Sequence, residues 1–284
     1  MLDAIGRSTD PITQTVDRRW LLAYSMCVGA DLPALTDTRR PDGIMAHPLF
    51  PVAVEWPSVR AAQRLVPPQA DLLPGVHATH DLTVHRPARE GDELTTVATI
   101  EEVREERYGL LQVLRLDTED AAGRPVATTR MGLAFRRATG AARKDPRAST
   151  ASAPAPDPPP ALVESRLRLP NGLAHAYTEC AHIWNPIHTD RAVAEAAGLP
   201  EPILHGTCTL AVAVSRLLHL ALDDDPTRVA RVRARFAAYV TLPSVLTLRF
   251  TRPDDRAIEL TACRDDGRAV LADGVVELAE RKNL

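Results

Sequence analysis

The chain has 284 residues, of which 45% are hydrophobic and 25% charged, so it can form one large core or two domains of ordinary size. Its formal net charge is −3 and its arginines are scattered among acidic residues, so nucleic acid is not an expected partner. The first residues lack the basic start and apolar core of a signal peptide, and no run approaches the roughly 18 apolar residues of a membrane span. We therefore expect a cytoplasmic protein that binds no membrane.

The first half of the chain predicts one helix followed by several strands. A motif that runs from a Tyr to an Asp at 24–37 precedes an apolar stretch of helical length at 43–54. Segments rich in β-branched residues and separated by turn signals follow at 82–85, 94–100, 110–116 and 126–135. This order indicates an α+β domain in which an antiparallel sheet wraps around a central helix.

A Pro- and Ala-rich segment at 138–161 divides the chain into two halves. The segment contains few large apolar residues, so it predicts an extended linker that takes no part in a core. We therefore predict an N-terminal domain at 1–137 and a C-terminal domain at 162–284.

The two halves are related by an internal repeat. Residues 177–190 align with 24–37 without a gap at a constant offset of 153, and a Tyr, a Cys, a Pro, a Thr and an Asp coincide. An apolar stretch at 202–215 again comes next, and strand-like segments follow at 244–250, 257–263 and 269–278. A repeat of domain size indicates that a whole fold was duplicated, so we expect two similar domains that pack as a pseudo-dimer within one chain. Whether two chains form a homodimer is left open.

The sequence gives no sign of a bound cofactor. No CxxC pair occurs among its four cysteines, Cys27, Cys180, Cys208 and Cys263. A Gly-rich phosphate loop is absent from the sequence as well. We therefore expect neither a zinc site nor a disulfide framework, and no metal or redox cofactor.

The motif of the second half carries the strongest functional signal. Asn185-Pro-Ile-His188, followed by Leu204-His-Gly206, resembles the MaoC-like family of hotdog proteins, which includes the (R)-specific enoyl-thioester hydratases. The first half is similar to the degenerate N-terminal copy of two-domain members. The resemblance implies a double hotdog fold, in which two tandem hotdog domains each wrap an antiparallel sheet around a central helix. It also implies an acyl-thioester substrate, carried on coenzyme A or on the pantetheine of a carrier protein.

The resemblance assigns chemical roles to three residues. Attack on an enoyl thioester pushes negative charge onto the thioester oxygen, and the N–H of Gly206 at a helix start is placed to stabilise that charge. His188 is the candidate general base, because an imidazole exchanges protons near neutral pH. Asn185 is expected to hold His188 or the substrate. In the first copy Leu32 and Leu35 align with these two polar residues, which predicts one catalytic centre per chain.

One position departs from the family pattern. Where MaoC-like hydratases carry a catalytic Asp, this chain has Ile183, so the Asp and His pair that holds the attacking water is incomplete. His182, the preceding residue, is one candidate for a replacement base. His47, beside the corresponding turn of the first copy, is a second candidate for a role in the pocket. His205, which precedes Gly206, is expected to be structural.

Three functions are compatible with this departure. The main hypothesis is that the single base adds an amino acid such as glycine to the β-carbon of an enoyl thioester, because a neutral amine needs less activation than water. Water would then cleave the thioester, as the resemblance to double-hotdog proteins of actinobacterial polyketide pathways implies. The alternative is an (R)-specific enoyl-thioester hydratase or 3-hydroxyacyl dehydratase, and the second alternative is a non-catalytic acyl-thioester-binding partner subunit. An acyl carrier protein is a candidate partner.

Overall fold

The computed structural model describes residues 2–66, 71–73, 75–137 and 162–280. The strands of the first half are β1 (Ile12–Thr15), β2 (Val76–Val84), β3 (Glu93–Glu106), β4 (Gly109–Asp120) and β5 (Pro125–Arg136). Those of the second half are β6 (Val163–Leu169), β7 (Val229–Phe236), β8 (Ser244–Thr251), β9 (Ala257–Arg264) and β10 (Ala269–Leu278). All ten form one antiparallel sheet in the order β1-β3-β4-β5-β2-β7-β10-β9-β8-β6.

Six α-helices accompany this sheet within the described ranges. They are α1 (Arg18–Cys27), α2 (Pro33–Thr36), α3 (Pro51–Arg64), α4 (Leu173–Cys180), α5 (Arg191–Ala196) and α6 (Gly206–Ala221). Short 3-10 helices occur at Leu2–Ala4, Pro186–His188 and Pro226–Arg228. Across the part of the chain that the structure describes, every helix is too short or too polar to cross a membrane.

The two halves repeat the same order of elements. Each begins with a strand, continues through a short helix, a turn and a long central helix, and ends with four strands. This confirms the predicted architecture of two tandem domains, each with a sheet around a central helix. The linker predicted at 138–161 lies outside the described residues, and the exact domain boundaries stay predictions.

The sheets of the two halves are joined edge to edge by β2 and β7. The pairs run from Thr79 opposite Arg235 to Thr83 opposite Arg231. On the outer face the guanidinium of Arg231 donates twice to the Asp81 carboxylate, each time at 2.7 Å. Two sheets therefore become one, which the sequence did not predict, because β7 was not recognised as a strand.

The core lies on the inner face of this sheet, against the central helices. In β3 the inward positions alternate as Leu94, Thr96, Ala98 and Ile100, and all four are buried. The hydroxyl of the inward Thr96 hydrogen-bonds to the hydroxyl of Thr118, 2.8 Å away on the neighbouring strand. Helix α6 is buried along most of its length, which fits the apolar run of residues 210–214 at its centre.

Candidate active site

The loop after α4 sets the position of His188. Asn185 has an extended backbone, and Pro186 then opens the 3-10 turn that contains His188, as suits a residue whose φ is fixed near the helical value. The Asp190 carboxylate caps α5 by accepting from the backbone N–H of Ala192 at 2.9 Å. The turn and the cap hold this segment rigidly, and the His188 side chain points into the protein.

His188 is a buried and neutral imidazole. Its Nδ1 lies 2.7 Å from the carbonyl oxygen of Ile203, and a carbonyl only accepts, so this hydrogen bond assigns the proton to Nδ1. Nε2 is then the unprotonated nitrogen, and among the described residues the His188 ring has its one hydrogen bond through Nδ1. Burial lowers the pKa of His188 to about 4, so the ring is uncharged at neutral pH. His188 has the protonation state of a general base.

His205 supports His188 from one side. The two rings stack with centroids 3.6 Å apart and an interplanar angle of 26°. His205 Nε2 lies 3.4 Å from both the Thr178 hydroxyl and the Ile183 carbonyl, so it ties the loop after α4 to the turn before α6. Burial and the neighbouring His188 hold the pKa of His205 well below its usual range. These contacts are those of a positioning residue.

Gly206 begins α6 directly after this stacked pair. The first N–H groups of a helix lack partners within it, and the positive end of the helix dipole lies there, so Gly206 can bind a developing oxyanion. The structure also gives a second reason for glycine. A Cβ at this position would lie 2.8 Å from the Phe236 ring, which fills the space beside Gly206.

Asn185 faces a surface pocket of about 330 Å³. The pocket is also lined by His175, Thr178, Glu179, Trp184, Pro186 and Thr189. Since the Thr178 hydroxyl contacts His205, the pocket reaches the group that supports His188. The structure thus places Asn185, His188 and Gly206 in one region, and their catalytic roles, which the family resemblance implies, stay predictions. Thr178 and Phe236 belong to the same region and were missed, because neither lies in Asn185-Pro-Ile-His188 or in Leu204-His-Gly206.

Ile183 is buried in this loop, with 4% of its surface exposed. Its N–H donates to the Thr178 carbonyl at 3.1 Å, and its own carbonyl accepts from the N–H of Asn185 at 3.0 Å. The side chain is therefore part of the core next to His205, where the related hydratases are expected to carry an acid. The site has one evident base.

Two further histidines do not join it. The His182 ring lies between Trp20, at 4.4 Å, and Trp184, at 5.3 Å, and its backbone has a φ of 54°. His47 accepts from the N–H of Leu49 at 3.0 Å and its Nε2 lies 3.2 Å from the Ser215 hydroxyl. Among the described residues, neither ring has a hydrogen bond or ring contact with the candidate base. Burial lowers the pKa of His47 to about 3, consistent with a neutral ring that joins the two halves.

The first copy lacks the polar side chains of this site. Leu32 and Leu35, which align with the Asn and His of the motif, are fully buried.

Within the described ranges, no group of three or more His, Cys, Asp or Glu side chains is placed to hold a metal ion.

Comparisons with known proteins relate both halves to one group of enzymes. Residues 162–268 match the family described as MaoC like domain, and residues 3–129 match the FAS1-like dehydratase domain region. The chain is 36% identical over 91 residues to enoyl-CoA hydratase ChsH3 of Mycobacterium tuberculosis, a match that spans 32% of this chain and 32% of that protein. It is 27% identical over 292 residues to 3-hydroxyacyl-thioester dehydratase Y of the same organism, covering 97% of both chains.

A solved structure shows the same fold. The MaoC-like dehydratase from Phytophthora capsici superimposes with a TM-score of 0.81 at 21% identity, covering 99% of this chain and 98% of that one. At this identity the likeness establishes the architecture alone. The match to the hydratase ChsH3 spans about a third of that protein's length.

Proposed function

Because this chain belongs to the MaoC-like family of double-hotdog proteins, we propose that it adds water to an α,β-unsaturated acyl thioester and catalyses the reverse dehydration. This is the alternative that the sequence analysis placed second. The observation that carries it is the neutral His188, fixed by the Ile203 carbonyl and stacked on the residue before Gly206. The names of the enzymatic relatives, a hydratase and a dehydratase, support the same reaction.

The reaction needs one proton acceptor and one hydrogen-bond donor that stabilises the oxyanion. His188 Nε2 takes a proton from water as the hydroxide oxygen bonds to C3 of the enoyl group. The electron pair of the double bond moves towards the thioester oxygen, where the Gly206 N–H and the α6 dipole stabilise the negative charge. The protonated His188 then returns its proton to C2, which gives the 3-hydroxyacyl thioester. Dehydration follows the same steps in reverse.

Asn185 and its pocket provide the route by which the pantetheine-linked substrate enters the site. The pocket opens to the surface beside Trp184, whose side chain is 60% exposed. The substrate thioester, on coenzyme A or a carrier-protein pantetheine, would enter here. The Asn185 amide can then hold either the water or the thioester, since it offers both donors and an acceptor.

A second candidate is the addition of an amine, and Ile183 favours it. Water is activated poorly by a single base, whereas an amino group with a pKa of about 7.7–8.0 is partly neutral near pH 7. The amine nitrogen would bond to C3 and lose a proton to His188, which passes it to C2. Water would then break the C–S bond and release the thiol and a β-amino acid.

One experiment separates these functions. The purified chain is incubated with crotonyl-CoA, with and without glycine, and products are identified by mass spectrometry. We expect 3-hydroxybutyryl-CoA in both reactions. A glycine adduct with release of free coenzyme A would instead support amine addition and refute hydration as the main activity. If crotonyl-CoA binds but is not converted in either reaction, with or without glycine, the protein is a non-catalytic binding subunit and both proposals are contradicted.

A further inference from the structure

Phe236 is placed beside the reacting region and belongs to neither the motif nor the proposed chemistry. It is the last residue of β7, and its ring packs closely against Gly206, with Cδ1 only 2.8 Å from where a Cβ would stand. Cβ bonds and N–H groups at a helix start both lean towards the helix N-terminus. The ring therefore lies beside the helix start at which the thioester oxygen would bind.

The ring is held there by the other half of the chain. His77 lies just inside the start of β2, and its ring meets the Phe236 ring edge-on at a centroid distance of 4.7 Å. His77 is itself fixed, because its Nε2 lies 3.0 Å from the Thr79 carbonyl and its ring contacts His80 at 5.3 Å. His80 is 1% exposed, so this support reaches into the interior. Moving Phe236 would disturb a packed series of rings across the junction of the two halves.

In the proposed function the two ends of the substrate lie on opposite sides of Gly206. The pantetheine would leave through the pocket at Asn185 and Trp184. The acyl group would then extend towards Phe236, whose ring packs against the core. A thioester oxygen about 2.9 Å from the Gly206 nitrogen would bring its acyl carbons into contact with this ring.

We propose that Phe236, held by His77, is the wall that ends the acyl site and restricts the protein to short acyl groups such as crotonyl. This inference rests on the proposed function, because it assumes that the thioester binds at Gly206. A longer chain would have to displace a ring that His77 contacts and that His80 supports through His77. A mismatch of even one methylene in such a pocket changes specificity by about 10–200-fold, so the wall should have a large effect.

The test compares hydration of crotonyl-CoA and 2-decenoyl-CoA. The unaltered protein should prefer crotonyl-CoA in kcat/KM by about tenfold or more. Phe236→Ala should raise the decenoyl-to-crotonyl ratio by about tenfold, and His77→Ala should shift it in the same direction by less, because the ring stays but loses its support. Phe236→Leu, a smaller change, serves if the alanine variant fails to fold.

Phe135→Ala is the matched control. Phe135 also packs on a glycine, with its ring 2.7 Å from where a Gly75 Cβ would stand, but it lies on β5 and packs against a different core cluster from Phe236. This variant should lose stability without changing the ratio. An unaltered protein that hydrates both thioesters equally well, or a folded Phe236 variant with an unchanged ratio, would overturn the wall.

Binding separates failure of the wall from failure of the proposed function. Titration calorimetry with butyryl-CoA and decanoyl-CoA, which contain no double bond, measures chain-length preference without turnover. If no variant hydrates any thioester but the binding preference shifts on Phe236→Ala, the role of Phe236 in limiting acyl length is supported and the proposed hydratase function is refuted. If hydration occurs and neither ratio nor binding preference responds to Phe236, the wall alone is refuted.

Discussion

The hydroxyl oxygens of Tyr24 and Tyr177 lie 3.4 Å apart in the buried contact between the two halves, at equivalent positions of the repeat. Each hydroxyl also anchors the start of the central helix of its own half. Tyr24 donates to the Leu49 carbonyl at 2.9 Å, just before α3, and Tyr177 donates to the Thr207 hydroxyl at 3.2 Å, at the start of α6. The tyrosine shared by both copies therefore connects helices α1 and α4 with both central helices, and through Thr207 it reaches the candidate active site.

The first prediction concerns Cys27 and Cys180, one helical turn beyond these tyrosines. A hydrogen bond from the Cys27 thiol lowers the pKa of Cys180 to about 7. Since the thiolate is the nucleophile, iodoacetamide near neutral pH should alkylate Cys180 first, faster than the similarly half-buried Cys263, whose pKa is raised by burial. Peptide mass spectrometry over time measures both rates.

Cys27→Ala tests the cause of that reactivity. Without the donor thiol the pKa of Cys180 should rise, and its alkylation near pH 7 should slow several-fold, with Cys263 unaffected. An unchanged rate at Cys180 would show that the neighbouring thiol has no influence on it.

His188→Ala should lower the hydration rate by about 10²–10⁴-fold while leaving the fold intact, because the variant lacks the general base. Leu35→Met, at the equivalent position of the first copy, conserves volume and should leave turnover almost unchanged. Turnover of crotonyl-CoA and circular dichroism are measured for both variants. A His188 variant that keeps more than about a tenth of the rate would rule out an essential base at this position.

Glu55 predicts a pH dependence of stability. Burial in α3 raises the pKa of its carboxyl to about 8, while Thr129 donates to it at 2.7 Å. A raised pKa means that the folded state binds the proton of Glu55 more tightly than the unfolded state does. The stabilisation of the fold that results is complete below about pH 4.5 and is lost as pH rises towards 8. Glu55→Gln keeps the acceptor but cannot ionise. Its stability relative to the unaltered protein should therefore increase by about 1 kcal/mol per pH unit over this window.

Urea unfolding of both proteins at several pH values measures this difference. The buried histidines have the opposite effect, because His47 and His188 have lowered pKa values and destabilise the fold as pH falls below about 6.5. Both proteins contain them, so their contribution cancels in the comparison. Glu119→Gln, which removes an exposed carboxylate on β4, should show no such trend. A flat difference for Glu55→Gln would mean that Glu55 is ionised in the folded protein.

The sequence was sufficient to predict the duplicated fold, because the internal repeat encodes it, whereas the roles of Asn185, His188 and Gly206 stay predictions. Strand β7 was not predicted, although apolar residues alternate with Arg231, Arg233 and Arg235 from Ala230 to Phe236. Pairing of β7 with β2 could not be predicted, since the contact joins positions about 150 residues apart.

The orientations of His182 and His47 could not be predicted from the sequence. His182 adjoins Ile183 in sequence, yet its left-handed backbone turns the ring towards Trp20, a residue of the first half. His47 meets Ser215 of α6 for the same kind of reason. Neither orientation is encoded locally, because both depend on how the two halves pack.

The last prediction concerns Ile183. If the missing acid limits the activation of water, Ile183→Asp should raise the hydration of crotonyl-CoA by about tenfold, since general-base assistance contributes about 10²–10⁴-fold when geometry is ideal. The same charge should hold an incoming amine as its ammonium form and so reduce addition of glycine. The new carboxyl would lie where Ile183 is now 4% exposed, and desolvation would raise its pKa, so the gain should grow as pH rises and the carboxyl ionises. Ile183→Asn has nearly the same shape and cannot ionise, which makes it the control for packing. Both products are quantified by chromatography at several pH values after folding is verified. A folded Asp variant that hydrates no faster than the Asn variant at any pH would show that a second base is not what limits this site, and that His188 with its Ile203 hydrogen bond is sufficient.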